Sequence, residues 1–207
     1  MKNNVAVLFI PIIFLSSLKS AAQNIDINIL RSINQHQTAF KDHYLGFCVS
    51  SVIVVNIATP ISIFADGLIK RDKQLQRDAI YMAGAFLAST IIVEGTKYVV
   101  NRTRPFVTYP FIVNRDNESG GNSFPSAHAS AAFTTATSLA LYYPKWYVIT
   151  PAYIWAASVG WGRMYQGAHY PSDILVGAIV GSASAWVSYK LEKKMNKKHP
   201  VATNPIL

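Results

Sequence analysis

Apolar residues are gathered along this chain into long blocks, with the polar residues collected at the block edges. Gly46 to Ala65 carries no charge over twenty positions and has the length of a membrane-spanning helix. Four further apolar runs follow, Ala79 to Val100, His128 to Tyr143, Trp146 to Trp161 and Ile174 to Tyr189. Several of them are short and rich in Ala, Ser and Thr, which suits close packing of helix on helix. Upstream, Ile25, Ile27, Ile29, Leu30, Ile33 and Phe40 alternate with Asp26, Arg31, Gln35, Gln37 and Lys41. That spacing predicts an amphipathic helix over 24–44, either lying in a membrane interface and shaping access to a site or simply packing on the rest. His36 and His43 in this stretch read as surface residues. The pattern predicts an all-α protein, a bundle of five transmembrane helices preceded by one amphipathic helix.

Charge then orients the bundle. Of 207 residues 51% are hydrophobic and 14% charged, with a formal net charge of +9, too apolar for an ordinary soluble chain of this size. The basic residues cluster: Lys70, Arg71, Lys73 and Arg77 in one connection, Lys145 in another, and Lys190, Lys193, Lys194, Lys197 and Lys198 after the last run. Cytoplasmic loops collect Lys and Arg, so these three places are expected inside, and no nucleic-acid partner is required to explain the charge. Residues 1–22 have a positive start at Lys2, an apolar run from Val5 to Leu18 and small residues at Ser20, Ala21 and Ala22. A cleaved signal peptide is the favoured reading and an uncleaved anchor the alternative. The resulting layout is a leader over 1–22, a membrane-embedded domain over 23–190 and a basic cytoplasmic tail over 191–207. Cys48 is the single cysteine and reads as a small apolar helix residue.

The same topology brings three polar blocks to the outer face: Lys97-x6-Arg104-Pro105, Pro125-Ser126-Ala127-His128, and Arg163-x5-His169-x3-Asp173. Three cations, two imidazoles, a hydroxyl and a carboxylate suffice to grip a phosphate and transfer it, without a cluster of metal ligands. Lys97 and Arg104, seven apart, would share a face of a continuous helix, but Pro105 disfavours helical geometry at Arg104 and turns its side chain inward. Pro125 is expected to open a helix whose first N–H groups face an anion, with a simple N-cap role as the alternative for Ser126. A helix starting near Pro171 puts Asp173 in its first turn, within reach of His169. Taken singly, each cation could be a residue snorkelling at the membrane edge; Arg102 is assigned to that role or to a lipid headgroup. The connection 101–124, with Asn117, Glu118, Gly120, Gly121 and Asn122, reads as a flap.

The three blocks resemble those of the type 2 phosphatidic acid phosphatase superfamily, the lipid phosphate phosphatases, which are related to class A acid phosphatases and vanadium haloperoxidases. One block alone is a weak motif; three in order are specific. The resemblance covers residues 79 to 190. Two positions depart from it, Ala127 and Gly162 standing where the family usually has Gly and Ser. It implies that His169 is the nucleophile that forms a phosphohistidine, that Asp173 orients it, and that His128 protonates the leaving oxygen and then activates water. Lys97, Arg104, Ser126, Ala127 and Arg163 would bind the phosphate, with no metal and no other cofactor. The implied function is hydrolysis of a lipid phosphate or lipid diphosphate at the extracytoplasmic face, the partners being the substrate and the bilayer. The alternatives are a soluble non-specific acid phosphatase and a non-catalytic lipid-phosphate binder or transporter.

Overall fold

The computed structural model describes residues 24–116 and 120–198; the leader, part of the expected flap and the end of the basic tail lie outside the described residues. Among those described, the chain is helical and no strand forms, apart from an isolated bridge between Thr103 and Asn122. Helix α1 covers residues 24–35. It is followed by α2 (Ala39–Ile69), α3 (Lys73–Val100), the short α4 (Pro105–Thr108), α5 (Ala127–Tyr142), α6 (Trp146–Tyr165) and α7 (Pro171–Lys198). The expected all-α bundle is observed.

Helices α2, α3 and α7 are each long and apolar enough to cross a membrane. The outward residues Phe47, Ile53, Val54, Ile57 and Ile61 of α2 are exposed, so apolar surface coats the outside of the bundle as lipid contact requires. Helix α5 differs in kind. Its 16 residues rise about 24 Å, less than the roughly 30 Å hydrocarbon core. Nine of those residues are buried, all Ala, Ser or Thr, and α5 packs on α2, α3, α6 and α7. The run starting at His128 is therefore the axis of the bundle, with the other helices around it.

Small side chains make that possible. A Cβ added at Gly177 would stand 2.6 Å from the Ser126 carbonyl oxygen, and one at Gly181 2.1 Å from that of Ser130, so α7 lies backbone to backbone on α5. Cys48 and Val52 of α2, Ala131, Ala132 and Ala136 of α5, and Ala156 and Val159 of α6 form the apolar core. Two buried threonines beside it find partners: Thr134 Oγ1 donates to the Ser130 carbonyl at 2.8 Å and Thr135 Oγ1 to Asn56 Oδ1 at 2.6 Å.

The amphipathic stretch is a shorter helix than expected. α1 ends at residue 35, and Thr38 caps α2, its hydroxyl accepting from the Lys41 N–H, so the segment 39–44 belongs to α2. Ile27, Leu30 and Asn34 form the buried face of α1 against Phe106, Ile112, Met164 and Tyr170. Asn34 joins three backbone groups, donating to the Val113 and Tyr165 carbonyls and accepting from the Val113 N–H, each at 2.9 Å. The basic connection at 70–77, the Lys145 turn and the end of α7 all lie at one end of the bundle, and the three polar blocks at the other.

Candidate active site

Helix α3 ends where the first block needs it to. Asn101 takes the left-handed conformation (φ 48°) and its N–H closes on the Lys97 carbonyl, after which Arg102 to Arg104 run extended into Pro105. Lys97 thus stays on the last turn of α3, its ammonium 2.9 Å from Glu94 Oε1, while Arg104 leaves the helix. Arg104 is buried, with Nη1 3.4 Å from the Ala168 carbonyl oxygen, so the first block meets the third. The first and second blocks are stitched by Ser123 N–H to the Arg102 carbonyl (2.7 Å) and Asn122 Nδ2 to the Lys97 carbonyl (3.0 Å).

The second block departs from expectation at its proline. Pro125, preceded by a cis peptide bond, lies before the helix; Ser126 is the N-cap and Ala127 the first residue of α5. The helix starts later than Pro125 would start it because the Ser126 hydroxyl takes the capping position, accepting from the Ala129 N–H. Ser126 is fully buried; its Oγ accepts from the Ala129 N–H at 3.4 Å, and its own N–H donates to the Asp173 carbonyl at 3.0 Å. Capping and the joining of blocks two and three are therefore what this serine does in the structure. Ala127 and His128 are half-buried on the first turn of α5. Helical geometry at Ala127 requires no positive φ, so the methyl group in place of the family's Gly is accommodated.

In the third block Arg163 is 1% exposed, on the last turn of α6, with Nη1 pairing with Asp116 and lying 3.0 Å from Gln166 Oε1. Gly162, the other departure, has a packing reason: a serine Cβ would approach Val49 Cγ2 to 2.7 Å and the Leu45 carbonyl to 3.2 Å, where α6 lies on α2. A turn through Gly167, at φ 77°, then carries the chain to His169. His169 is 2% exposed, with Nδ1 3.5 Å from Asp173 Oδ2. That is longer than a hydrogen bond, and such contacts in substrate-free sites commonly tighten when the reacting complex forms. Asp173 sits in the first turn of α7, as expected, and is fully buried. Burial pushes the His169 imidazole down to about 4; the Asp173 carboxylate opposes this, and the positive charges of Arg163 and Arg104 add to it. At neutral pH the ring is uncharged and one nitrogen keeps its lone pair.

Sequence reasoning misplaced Arg102. Rather than reaching for the membrane edge, its Nη1 lies 2.7 Å from both Asp173 Oδ1 and Ser172 Oγ, and its Nη2 3.0 Å from Asp26 Oδ2. Asp26 and Asp116, outside the three blocks, and Gln166, at an unassigned position of the third, likewise touch site residues. Only the position of Arg102 within the first block hinted at it, since its partners lie 70 to 76 positions away. Among the described residues no group of three His, Cys, Asp or Glu side chains could hold a metal ion.

Comparison with known proteins matches the stretch of chain that carries the three blocks. The family model described as the PAP2 superfamily matches residues 78–197. A lipid A 4'-phosphatase of Bacteroides thetaiotaomicron is 33% identical over 98 residues, 47% of this chain and 43% of that protein. An undecaprenyl-diphosphatase of Sulfolobus acidocaldarius is 27% identical over 190 residues, 89% of this chain and 88% of that one. This chain thus spans less than half of the first relative and most of the second. Among solved structures, a transmembrane PAP2-type phosphatidylglycerolphosphate phosphatase from Bacillus subtilis superposes with a TM-score of 0.69 at 22% identity, covering 98% of this chain and all of the other, a likeness of fold.

Proposed function

The chain belongs to the PAP2 superfamily, and from that premise we propose that it is a membrane phosphatase hydrolysing a lipid phosphate or lipid diphosphate through a phosphohistidine. The observation that carries the reading is His169: a buried, uncharged imidazole facing a buried carboxylate and lying in the field of two buried arginines. With Asp173 on Nδ1, the Nε2 lone pair of His169 attacks phosphorus, the bond to the leaving oxygen breaks, and His128 supplies that oxygen's proton. Water, deprotonated by His128, then attacks the phosphorus of the phosphohistidine and frees inorganic phosphate and the imidazole. Arg104 and Arg163, with Lys97, neutralise charge on the phosphoryl oxygens, the Ser126 hydroxyl adds a donor, and the start of α5 at Ala127 offers a backbone N–H.

A lipid substrate fits the surroundings. The homologues' names refer to lipid phosphates and diphosphates, and an open apolar cleft of about 530 Å³ runs between α3 and α7, lined by Gly84, Ala88, Ile92, Ile179 and Ala183 among others. The outward apolar faces count against the soluble acid phosphatase. We place the site at the extracytoplasmic face, because the basic connections gather at the far end of the bundle, and we read α5 and α6 as completing five spans.

The test is phosphate release from a panel of purified lipid phosphates and diphosphates in detergent with EDTA present, parent beside His169→Ala. The parent is expected to turn over at least one lipid and the variant none. Equal turnover by both, or activity lost to EDTA and restored by Mg or Zn, overturns the reading.

A further inference from the structure

We propose that Arg102 and Asp26 are positioning residues for His169. Asp26, on the N-terminal helix α1, holds the Arg102 guanidinium on Asp173, and Arg102 in turn sets the place and charge of the carboxylate that faces the imidazole. The inference rests on the reading of His169 as nucleophile, and it makes α1 a working part of the active site.

The geometry is a relay of alternating charge. Asp173 Oδ2 accepts from the Tyr170 N–H at 2.9 Å and faces His169, while Oδ1 takes Arg102 Nη1 at 2.7 Å. Both carboxylate oxygens are thus engaged and the group cannot rotate away from the ring. Arg102 is fixed in turn: its guanidinium lies 3.8 Å over the Tyr170 ring and Nη2 is 3.0 Å from Asp26 Oδ2. Asp26 closes the far side, with Oδ1 accepting from the Ser172 N–H at 3.0 Å and Oδ2 from the Ser172 hydroxyl. Ser172 and Asp173 open α7, so α1 grips the start of the helix that carries the orienting carboxylate.

An exposed pair of this kind would be worth little, but Asp173 has no exposed side chain and Asp26 and Arg102 are only 12% and 23% exposed. Withdrawing the guanidinium leaves a buried carboxylate uncompensated beside an imidazole, which favours the imidazolium. The charged groups acting on His169 are Asp173 on α7, Arg163 on α6 and Arg104 ahead of α4. Arg102 and Asp26 act on it through Asp173.

Two measurements on the full-length protein in detergent test this. In the first, histidine-labelled protein is titrated by NMR, His169 being assigned by its absence in His169→Ala. Arg102→Gln is expected to raise the His169 midpoint by roughly one unit, the effect of one charge at a few ångströms, and Arg102→Lys to leave it near the parent's. In the second, kcat and KM are measured on whichever lipid phosphate the parent hydrolyses. Arg102→Gln should lower kcat roughly tenfold to a hundredfold with KM little changed, and the isosteric Asp26→Asn should lower it by a smaller factor. The double variant Asp26→Asn, Arg102→Gln should be no slower than Arg102→Gln alone, because Asp26 acts through Arg102. An unmoved midpoint in Arg102→Gln, additive losses in the double variant, or parental kcat in Asp26→Asn overturns the proposal. Should Arg102→Gln fail to fold, Asp26→Asn and Arg102→Lys carry the test. A parent without phosphatase activity would defeat the functional reading, while the NMR titration would still report whether Arg102 controls His169.

Discussion

Helices α3 and α7 are tied together by buried polar groups at both ends, and the two ties are built differently. At the end away from the site, Gln74 Nε2 donates to Asp78 Oδ1 (2.7 Å) and Glu192 Oε1 (2.9 Å), and Asn196 Nδ2 returns to Gln74 Oε1 (2.8 Å). Those four side chains project from unbroken helix; amides supply these three bonds, and Arg77 Nη1 adds a longer contact to Asn196 Oδ1 at 3.4 Å. At the site end the donors are guanidinium groups, and Arg102, Arg104 and His169 project from connections between helices. An amide clamp fixes two helices at a set distance, and the amides themselves carry no charge to offer an incoming anion. Arginines paired with carboxylates around an uncharged imidazole can take up phosphoryl oxygens. One end is a fastener, and the other has the chemistry proposed above for the reaction.

The sharpest way to break this contrast is at the imidazole. His169→Ala is expected to reduce kcat by roughly 10^4-fold or more and to abolish acid-labile phosphoenzyme in rapid-quench experiments, since the attacking atom is gone. Phosphoenzyme in that variant would move the chemistry elsewhere. Next in size is Arg163→Lys, for which a loss of roughly 10^2 to 10^3-fold in kcat/KM is expected, a point charge replacing a planar fork. Parental kcat/KM would remove Arg163 from the phosphate.

The pH dependence follows from burial. His169 in the folded protein is pushed down to about 4 from an ordinary 6.5, so between those values the unfolded chain binds the proton and the folded one does not. Its contribution to stability is therefore complete above about pH 6.5 and is lost as pH falls toward 4. The acid limb of kcat/KM should lie below pH 6.5 for the same reason, and a limb at or above it would contradict a buried uncharged nucleophile. The smallest effect on catalysis belongs to the other end. Gln74→Ala unties two buried carboxylates and should cost about 1–3 kcal/mol of stability, read as a lower midpoint of thermal unfolding in detergent, with kcat per folded molecule unchanged. A drop in kcat as large as that of Arg163→Lys would mean the two ends are one cooperative unit.

How much of this was legible along the chain can be judged residue by residue. Helices α2, α3 and α7 follow from apolar runs long enough to demand burial or lipid. The three polar blocks mark His169, Asp173, Arg104 and Arg163 because their local spacing about prolines and helix ends repeats a known pattern. The central place of α5 was not legible, since a run of Ala, Ser and Thr is moderately apolar wherever it sits. It is the axis because Gly177 and Gly181 let α7 come into backbone contact with it. Nor was Ser126 as an N-cap separable from Ser126 as a phosphate ligand, a matter of where one helix begins. Arg102 and Asp26 lie furthest out of reach. An arginine beside a membrane and an aspartate on an amphipathic helix have solvated explanations that local sequence always favours. Their pairing across 76 positions came from the docking of α1 by Ile27, Leu30 and Asn34. Sequence sets which groups must leave water and which local bends are allowed; which charges then face one another depends on distances that only the packed chain defines.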